Sequence, residues 1–584
     1  MRPSELALYR FPPAWRWLIE RIWRVEHAFE RNKAAGRAVD DTRLRIFFVL
    51  ALFAAGFLTL AIGAAHIALF PDNDRGGAAA GGPPGARADL VDRNGQLLAV
   101  DLPHFGLYFD PKDNWNREEV RKALSMALPQ LSAIRLDKAL KSDRRQYLLG
   151  GLTPQDKDRI DDLGLPGISF EPESHRVYPL GPTAGHLIGF VDRGGLGLTG
   201  AEKGLDGPIR AGAGGQPVAL SMDLRVQAAL QDELQKAAVM HGVIGAVGIV
   251  TNVRTGEILG MASYPQFDPN AVGSTPPGDM INHAASTVYE AGSVMKVFTL
   301  AMGLDAGVAT PNTMMDARTP LAMSGRTIHD YDKDNRMLSL TEVFTHSSNI
   351  GAARLGLMAG ADRMDKYYRS FGLFAAAPSE LPESARPILA RKLTDDVVAS
   401  MSFGHAISVS PLAIATGMGA VLNGGEYLPL TIRKPDPNAP PRTGRRVIKE
   451  STSRTMLDLM RLNVTHGTGH KADAPGYRVG GKTGSAEKAM GGHYDRKLLV
   501  SSFAAVFPTD GPLGADRYFV LIMMDQPHPT KETFGFATGG WTAAPAAGRV
   551  IERIAPLLGV KRTAVAPTDA KAGDTPDLLN GGER

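Results

Sequence analysis

Apolar and polar positions divide the chain into segments of different period. Ile46 to Phe70 reads IFFVLALFAAGFLTLAIGAAHIALF, 25 residues whose only ionisable side chain is His66. A run of that length spans a hydrocarbon core of ~30 Å with some tilt. Upstream, Trp15, Leu18, Ile19, Ile22 and Phe29 recur at helical spacing among Arg16, Arg21 and Arg24. They predict a short helix that lies on a membrane surface, packs on a partner or merely precedes the apolar run. Residues 71–86 are rich in Gly, Ala and Pro without periodicity, the composition of a flexible linker. Asp89 to Val100 reads strand, Asn94-Gly95 turn, strand. A helix is predicted over Arg117 to Leu128, and a new strand from Val218 to Met222 after the glycines at 212–215. Leu224 to Ala238 is an amphipathic helix with Asp223 as N-cap. Two strands, Ala246–Thr251 and Ile258–Ala262, flank Thr255-Gly256. Helical patterns fill the centre. Strands return at Ser501–Phe507 and Tyr518–Met524, and a helix follows over Ala543 to Leu557. Strands at both ends with helices between predict one antiparallel sheet covered by helices, an α+β fold.

A length of 584 residues calls for more than one domain. The expected division is a tail at 1–45, a transmembrane anchor at 46–70, a linker at 71–86, a first folded module at 87–215, a second at 216–560, and a disordered tail at 561–584. Arg43 and Arg45 precede the apolar run and Pro71-Asp72 follows it. The positive-inside rule then keeps the N-terminus in the cytoplasm and exports the rest. A cleaved signal has an apolar core of about 7–15 residues; this run is longer and lies behind 45 residues, which favours an uncleaved anchor. Lys plus Arg total 65 and Asp plus Glu 61, a net charge of +4 without like-charge runs, so nucleic-acid binding is not expected. The absence of cysteine excludes disulfides, thiol catalysis and thiolate metal sites.

Three short motifs carry candidate chemistry. Ser293-Val-Met-Lys296 places a hydroxyl and an amine on one helix face. Serine needs an adjacent base to act as a nucleophile, and a desolvated lysine near another cation has a lowered pKa. Ser347-Ser348-Asn349 sets a hydroxyl and a carboxamide in a turn that opens a helix at Ile350. Lys482-Thr483-Gly484-Ser485, after Gly480-Gly481, combines a cation, two hydroxyls and room for close backbone approach, a set that can bind a carboxylate. Each alone is weak: an N-cap serine with a surface lysine, a capping serine and a Gly-rich turn account for them. Gly476 to Thr483, GYRVGGKT, also fits the phosphate-binding Gly-x-x-x-x-Gly-Lys-Thr pattern. That loop needs an apolar strand before it and a helix after it, and the flanking sequence supplies neither.

Together and in this order, the motifs of an exported chain resemble the penicillin-recognising serine enzymes. Val253 to Asn270, VRTGEILGMASYPQFDPN, is similar to the stretch that precedes the catalytic serine of high-molecular-weight penicillin-binding proteins. Phe403-Gly404-His405 with Ser410-Pro411-Leu412 resembles another part of that domain. Arg176-Val-Tyr-Pro, His186-Leu-Ile-Gly-Phe, Gly200-Ala-Glu202 and Asp206 resemble the pedestal module of the class B members. The resemblance covers Arg87 to the final helix and is strongest to the division-specific septal subgroup (penicillin-binding protein 3 type). It implies a serine β-lactamase-like transpeptidase domain on a pedestal. It also implies a peptidoglycan D,D-transpeptidase at the bacterial inner membrane, its catalytic domain periplasmic, at the division site. Ser293 would be the nucleophile and Lys296 its base. Ser347 and Lys482 would pass a proton to the leaving D-alanine, and Asn349 would orient Lys296. Thr483, Gly484 and Ser485 would bind the terminal carboxylate, and the N–H groups of Ser293 and Ser485 would form the oxyanion hole. Stem peptides and β-lactams would be ligands, and a polytopic glycan polymerase and division activators would be partners. No cofactor or metal is implied. Ala291, Val297, Ser485 and His405 depart from proline, proline, threonine and tyrosine at those places in the family. For His405 the expectation is a packed or cleft-edge side chain.

The same motifs leave other readings open: an elongation-type transpeptidase, a D,D-carboxypeptidase, a β-lactamase, or a non-catalytic scaffold or β-lactam sensor. Residues 87–215 speak against the carboxypeptidase and the β-lactamase, which would leave them unexplained. The stretch 71–215 is too short to hold a glycosyltransferase domain as well. Three intact motifs speak against a silent domain.

Overall fold

The computed structural model describes residues 31, 49, 53–60 and 86–563, without 214, 325, 333, 334, 491 and 492. The expected helix around Trp15–Phe29, most of the apolar run, the linker up to residue 85 and residues 564–584 lie outside the described residues. Residues 53–60 are helical and expose Phe53, Phe57, Leu58 and Leu60. Among the described residues no helix is long and apolar enough to cross a membrane.

The first module is built on β1 (Leu90–Val91), β2 (Leu97–Phe109), β3 (Gln146–Leu152), β4 (Ile168–Val177) and β5 (Val218–Ala219). The order is β3-β2-β1-β5, with β4 also paired to β2. The predicted turn between β1 and β2 forms because the Asp92 carboxylate accepts the N–H groups of Asn94 and Gln96, at 2.7 and 2.8 Å. The predicted helix appears as α1 (Arg117–Ala127), capped by the Asn116 side chain. The strand expected from Val218 to Met222 is only two residues long. Leu220 N–H still donates to the Val91 carbonyl of β1, but Leu220 also bridges to Arg433, and from Ser221, whose N–H donates to the Ile432 carbonyl, the chain leaves the sheet.

Arg87, Arg176 and Glu202 of this module are buried. Arg87 and Arg176 donate from Nε to the two oxygens of Glu202, at 2.9 and 2.8 Å. Arg176 also pairs with Asp101 at 3.0 Å, and Arg87 with Asp206. Buried charges are tolerated only when paired and hydrogen-bonded. This network therefore explains the Arg176, Glu202 and Asp206 positions of the pedestal motifs and fastens the first residues after the linker.

The second module begins with α2 (Leu224–His241). Asp223 caps it as predicted. It runs past Ala238 because Gly242 supplies the left-handed C-terminal residue. Then follow β6 (Gly245–Asn252), β7 (Ile258–Tyr264), α3 (Lys296–Asp305), α4 (Asn349–Ala359), α5 (Pro411–Leu422) and α6 (Glu450–His466). The chain closes with β8 (Gly480–Met490), β9 (His493–Phe507), β10 (Tyr518–Asp525) and α7 (Ala543–Ile554). The antiparallel order is β8-β9-β10-β6-β7, so β8 is an edge strand. Residue alternation divides the sheet between two cores. Val520, Ile522 and Met524 of β10 face the cluster that holds α2 and the alanine-rich α7. Phe519, Leu521 and Met523 face the cluster that holds α3, α4 and α5. α5 is buried on every side, as its uniformly apolar sequence demands. The sheet covered by helices on both faces matches the α+β expectation.

Candidate active site

The site lies where α3, α4 and the edge strand β8 converge. Gly292–Met295 forms a 3-10 turn that feeds directly into α3. Such a turn nearly eclipses positions i and i+3. Lys296 Nζ accordingly lies 3.0 Å from Ser293 Oγ. The lysine is fully buried, whereas Ser293 is half-buried at the cleft. Gly292 has φ +54°, and a Cβ there would come within 2.7 Å of the Ser485 carbonyl oxygen. The turn and β8 thus touch backbone to backbone, with Gly292 and Ser485 at the contact.

Ser347 has φ +61°, a left-handed conformation unusual for a residue with a Cβ. Ser348, its neighbour, is the residue that caps α4, accepting Gly351 N–H at 2.9 Å. Capping therefore accounts for the second serine of the motif and leaves Ser347 and Asn349 facing the lysine. Lys296 Nζ donates to the Ser347 carbonyl and to Asn349 Oδ1 at 2.8 Å, and lies 3.1 Å from Ser347 Oγ. The Asn349 amide cannot turn over freely, because its Nδ2 donates to the His329 carbonyl at 3.1 Å.

Lys482 projects from β8 on the α3–α4 side and reaches Ser347 Oγ at 2.9 Å. It is also fully buried. Gly484 is needed for packing: a Cβ there would sit 2.2 Å from Ser502 Oγ and 2.5 Å from the Ala291 carbonyl. Thr483 and Ser485 alternate to the other face of the strand. Thr483 Oγ1 lies 2.7 Å from Thr468 Oγ1 and 3.3 Å from Lys482 Nζ. Ser485 Oγ accepts Gly539 N–H at 3.0 Å. Ser293, Lys296, Ser347, Asn349 and Lys482 therefore form one hydrogen-bonded cluster. Thr483 joins its rim, and Ser485 meets it through its backbone. The strand also disposes of the phosphate-loop reading: Gly480–Met490 is extended, with no helix after Lys482-Thr483.

The sequence relationships agree with this geometry. Residues 246–552 match the penicillin-binding protein transpeptidase domain, and residues 83–214 match the penicillin-binding protein dimerisation domain. The chain is 57% identical over 557 residues to a probable peptidoglycan D,D-transpeptidase FtsI of Caulobacter vibrioides, covering 94% of each chain. The chain belongs to the penicillin-binding protein transpeptidase family. It is also 31% identical to the peptidoglycan D,D-transpeptidase FtsI of Escherichia coli K12, over 85% of this chain and 87% of that one. A solved structure of penicillin-binding protein 3 from Mycobacterium tuberculosis, complexed with aztreonam, has the same fold. Its TM-score is 0.64 at 24% identity, covering 82% of this chain and 98% of that one.

In this penicillin-binding protein two lysines sit in one buried cluster, and both lose proton affinity. Burial holds the Lys296 amine well below the usual lysine range, and the nearby Lys482 charge adds to that; Asp330 works in the opposite sense. Burial alone pushes Lys482 down to about 7. A neutral amine beside a serine hydroxyl is the arrangement a general base requires.

Several contributors escaped the sequence reading. Asp330 binds the Ser348 hydroxyl and the N–H groups of Asn349 and Ile350. Thr468 supports Thr483 and lies 3.3 Å from Asn463 Oδ1, while Asn463 Nδ2 donates to the Gly481 carbonyl at 2.8 Å. Neither Asp330 nor Thr468 belongs to a periodic pattern, and each acts on a motif at least 15 residues away. His405 packs on Phe403 and lies 3.2 Å from a Glu290 carboxylate oxygen, the packed one of the two placements expected of it.

Proposed function

We propose that this protein is a peptidoglycan D,D-transpeptidase of septal wall synthesis, acylated on Ser293 and inhibited covalently by β-lactams. The observation that carries the reading is the single hydrogen-bonded cluster of Ser293, Lys296, Ser347, Asn349 and Lys482. The relatives bearing the transpeptidase name support the same reaction and the division role.

In the proposed reaction Ser293 Oγ attacks the carbonyl carbon between the terminal D-alanines of a stem peptide, and its proton passes to neutral Lys296. The N–H groups of Ser293 and Ser485 receive the developing oxyanion; each such donor is typically worth ~2.7–4 kcal/mol. As the C–N bond breaks, Ser347 gives its proton to the departing amine and recovers one from Lys482. Asn349 holds Lys296 in line. Thr483 and Ser485, with Gly484 between them, bind the substrate carboxylate at the strand edge. An amine of a second stem then attacks the ester and releases Ser293, which completes the cross-link.

The proposed layout keeps the tail 1–45 in the cytoplasm, the anchor at 46–70, the linker at 71–86, the pedestal at 87–215 and the transpeptidase domain at 216–560, with a tail beyond. The uncharged 46–70 run and the arginines before it support a single-pass anchor in the inner membrane. The pedestal and anchor are the proposed contacts for a glycan polymerase and division activators.

The direct test supplies a pentapeptide donor and an amine acceptor to the purified protein. Released D-alanine with a matching amount of transfer product supports a transpeptidase. D-alanine release with hydrolysis alone, at any acceptor concentration, contradicts it.

A further inference from the structure

Outside the three motifs, Asp330 is the carboxylate most closely tied to the cluster. It lies on the segment after Arg326–Ile328, 19 residues before Asn349. Its Oδ1 accepts Asn349 N–H at 2.5 Å and Ile350 N–H at 2.9 Å, and its Oδ2 accepts the Ser348 hydroxyl at 2.7 Å. The two N–H groups are backbone donors that the first turn of α4 cannot satisfy internally, and an anion is favoured there. The preceding residue shares the task, since the His329 carbonyl fixes the Asn349 amide. One short segment thus grips the backbone and side chains of 348–350, and through them the left-handed Ser347.

The grip matters because that turn gives Lys296 three of its four oxygen contacts: the Ser347 carbonyl, Ser347 Oγ and Asn349 Oδ1. The remaining one is Ser293 Oγ. None of these groups carries a charge. Two charged groups act on the amine from the packed elements: Lys482 from β8 and Asp330 from the segment in front of α4. Their signs are opposite.

We propose that Asp330 is a positioning residue for acylation. It clamps the Ser347-Ser348-Asn349 turn onto Lys296 and supplies the negative charge that counterbalances Lys482 at the base. The inference rests on the proposed function, in which Lys296 takes the Ser293 proton. Asp330 touches neither substrate nor the reacting atoms; it acts through the turn and through its field. Without the counter-charge, burial and Lys482 act on Lys296 unopposed and its proton affinity falls further. The amine is then neutral over a wider pH range but is a weaker base.

A merely structural clamp and a charged clamp differ in the pH profile. Acylation by a fluorescent penicillin is followed from acid to alkaline pH on the detergent-solubilised full-length protein. Wild type, D330N, D330S and D330E are compared, with Ser293→Ala as the control. D330N should move the acidic limb of the rate profile down by about half a pH unit or more, because Lys296 sheds its proton at lower pH. Its plateau should fall about tenfold from the loosened turn. D330E retains the charge, so its plateau falls while its limb stays with wild type. D330S, a good helix cap without charge, repeats the shift if the amide variant does not fold. A limb that stays in place or moves upward in the neutral variants overturns the proposal. If Ser293→Ala is acylated like wild type, the proposed function itself fails. If that control is silent and the limb is unmoved, only the role of Asp330 fails.

Discussion

Ser347 Oγ stands 3.1 Å from Lys296 Nζ and 2.9 Å from Lys482 Nζ, so a single hydroxyl joins two buried amines. Two ammonium groups there would repel each other in a poorly screened site, and each would be costly to desolvate. In the proposed reaction one of the two is therefore neutral, Lys296 as the base, while Lys482 holds the proton that it passes to Ser347; a cation buried beside an amine is what folding disfavours. Lys482 has its pKa depressed from 10.5 to about 7. Between those values the unfolded chain holds a proton that the folded one lacks, so this residue makes stability rise with pH from about 7 to 10.5; below about 7 its burial cost is felt in full. Lys482→Met should thus raise the melting temperature near pH 7, with the gain shrinking as the pH is taken toward 10.5, while acylation is lost. A variant that melts lower than wild type at pH 7 would show that the hydrogen bond to Ser347 outweighs the burial cost. At this scale the sequence was legible where chemistry is written in adjacent letters, as in Ser293-Val-Met-Lys296. It was silent on Asp330, whose partners lie almost two dozen positions or fewer along the chain but in no periodic relation to it.

Two elements set the distance between Ser293 and the strand that faces it. The 3-10 turn at Gly292–Met295 is held between β8 on one side and the loop at Gly404 on the other. Gly404 has φ +91°, and a Cβ there would fall 2.0 Å from the Gly292 carbonyl oxygen, backbone against backbone. Gly404→Ala should therefore displace the turn that carries Ser293 N–H. The expectation is an acylation step slower by roughly a hundredfold or more, in the range of a lost oxyanion donor, with a lower melting temperature from the strained φ. Stopped-flow acylation with a thermal melt checks it; wild-type rates in a stable variant would show that the layer of glycines is not what spaces the site. Among the elements, β6, β7, β9 and β10 were readable as short apolar runs, the first two around the Thr255-Gly256 turn, and α2 and α7 as helices. β8 was harder. Gly480, Gly481 and Gly484 give a strand with no apolar rhythm at its start, and its letters mimic a phosphate loop. Only the pairing of Lys482 with Ala504 and Thr483 with Phe503 fixes its register.

On the scale of the whole molecule, the pedestal hangs on charges brought together from distant parts of the chain. Arg87 and Glu202 are 115 residues apart, and Arg176 and Asp101 are 75 apart. Glu202 receives both arginines while having no exposed side-chain surface. Removing one partner of a buried pair typically costs about 3–5 kcal/mol, because the other charge stays buried without compensation. Glu202→Ala should therefore loosen residues 87–215 in amide hydrogen exchange and speed their proteolysis, while Ser293 remains open to penicillin. Unchanged exchange in that module would remove the network from its stability. The pedestal motifs at Arg176, Glu202 and Asp206 were visible as a resemblance. Arg87 and Asp101 were not, since sequence separation hides long-range ion pairs. Fold class followed from the order of periodic segments, whereas the brevity of β5 did not: after Leu220 the chain leaves the first module's sheet to bond with Ile432, a choice made by tertiary partners.

The central claim is that Ser293 is the acylated nucleophile, and intact-mass analysis after exposure to a penicillin tests it most directly. Wild type should gain the mass of one β-lactam and keep it through extended incubation, with the adduct mapped to the peptide containing Ser293. Ser293→Ala should gain nothing while melting like wild type. An adduct of equal yield on Ser293→Ala, or a folded wild type that never acquires one, would contradict the account.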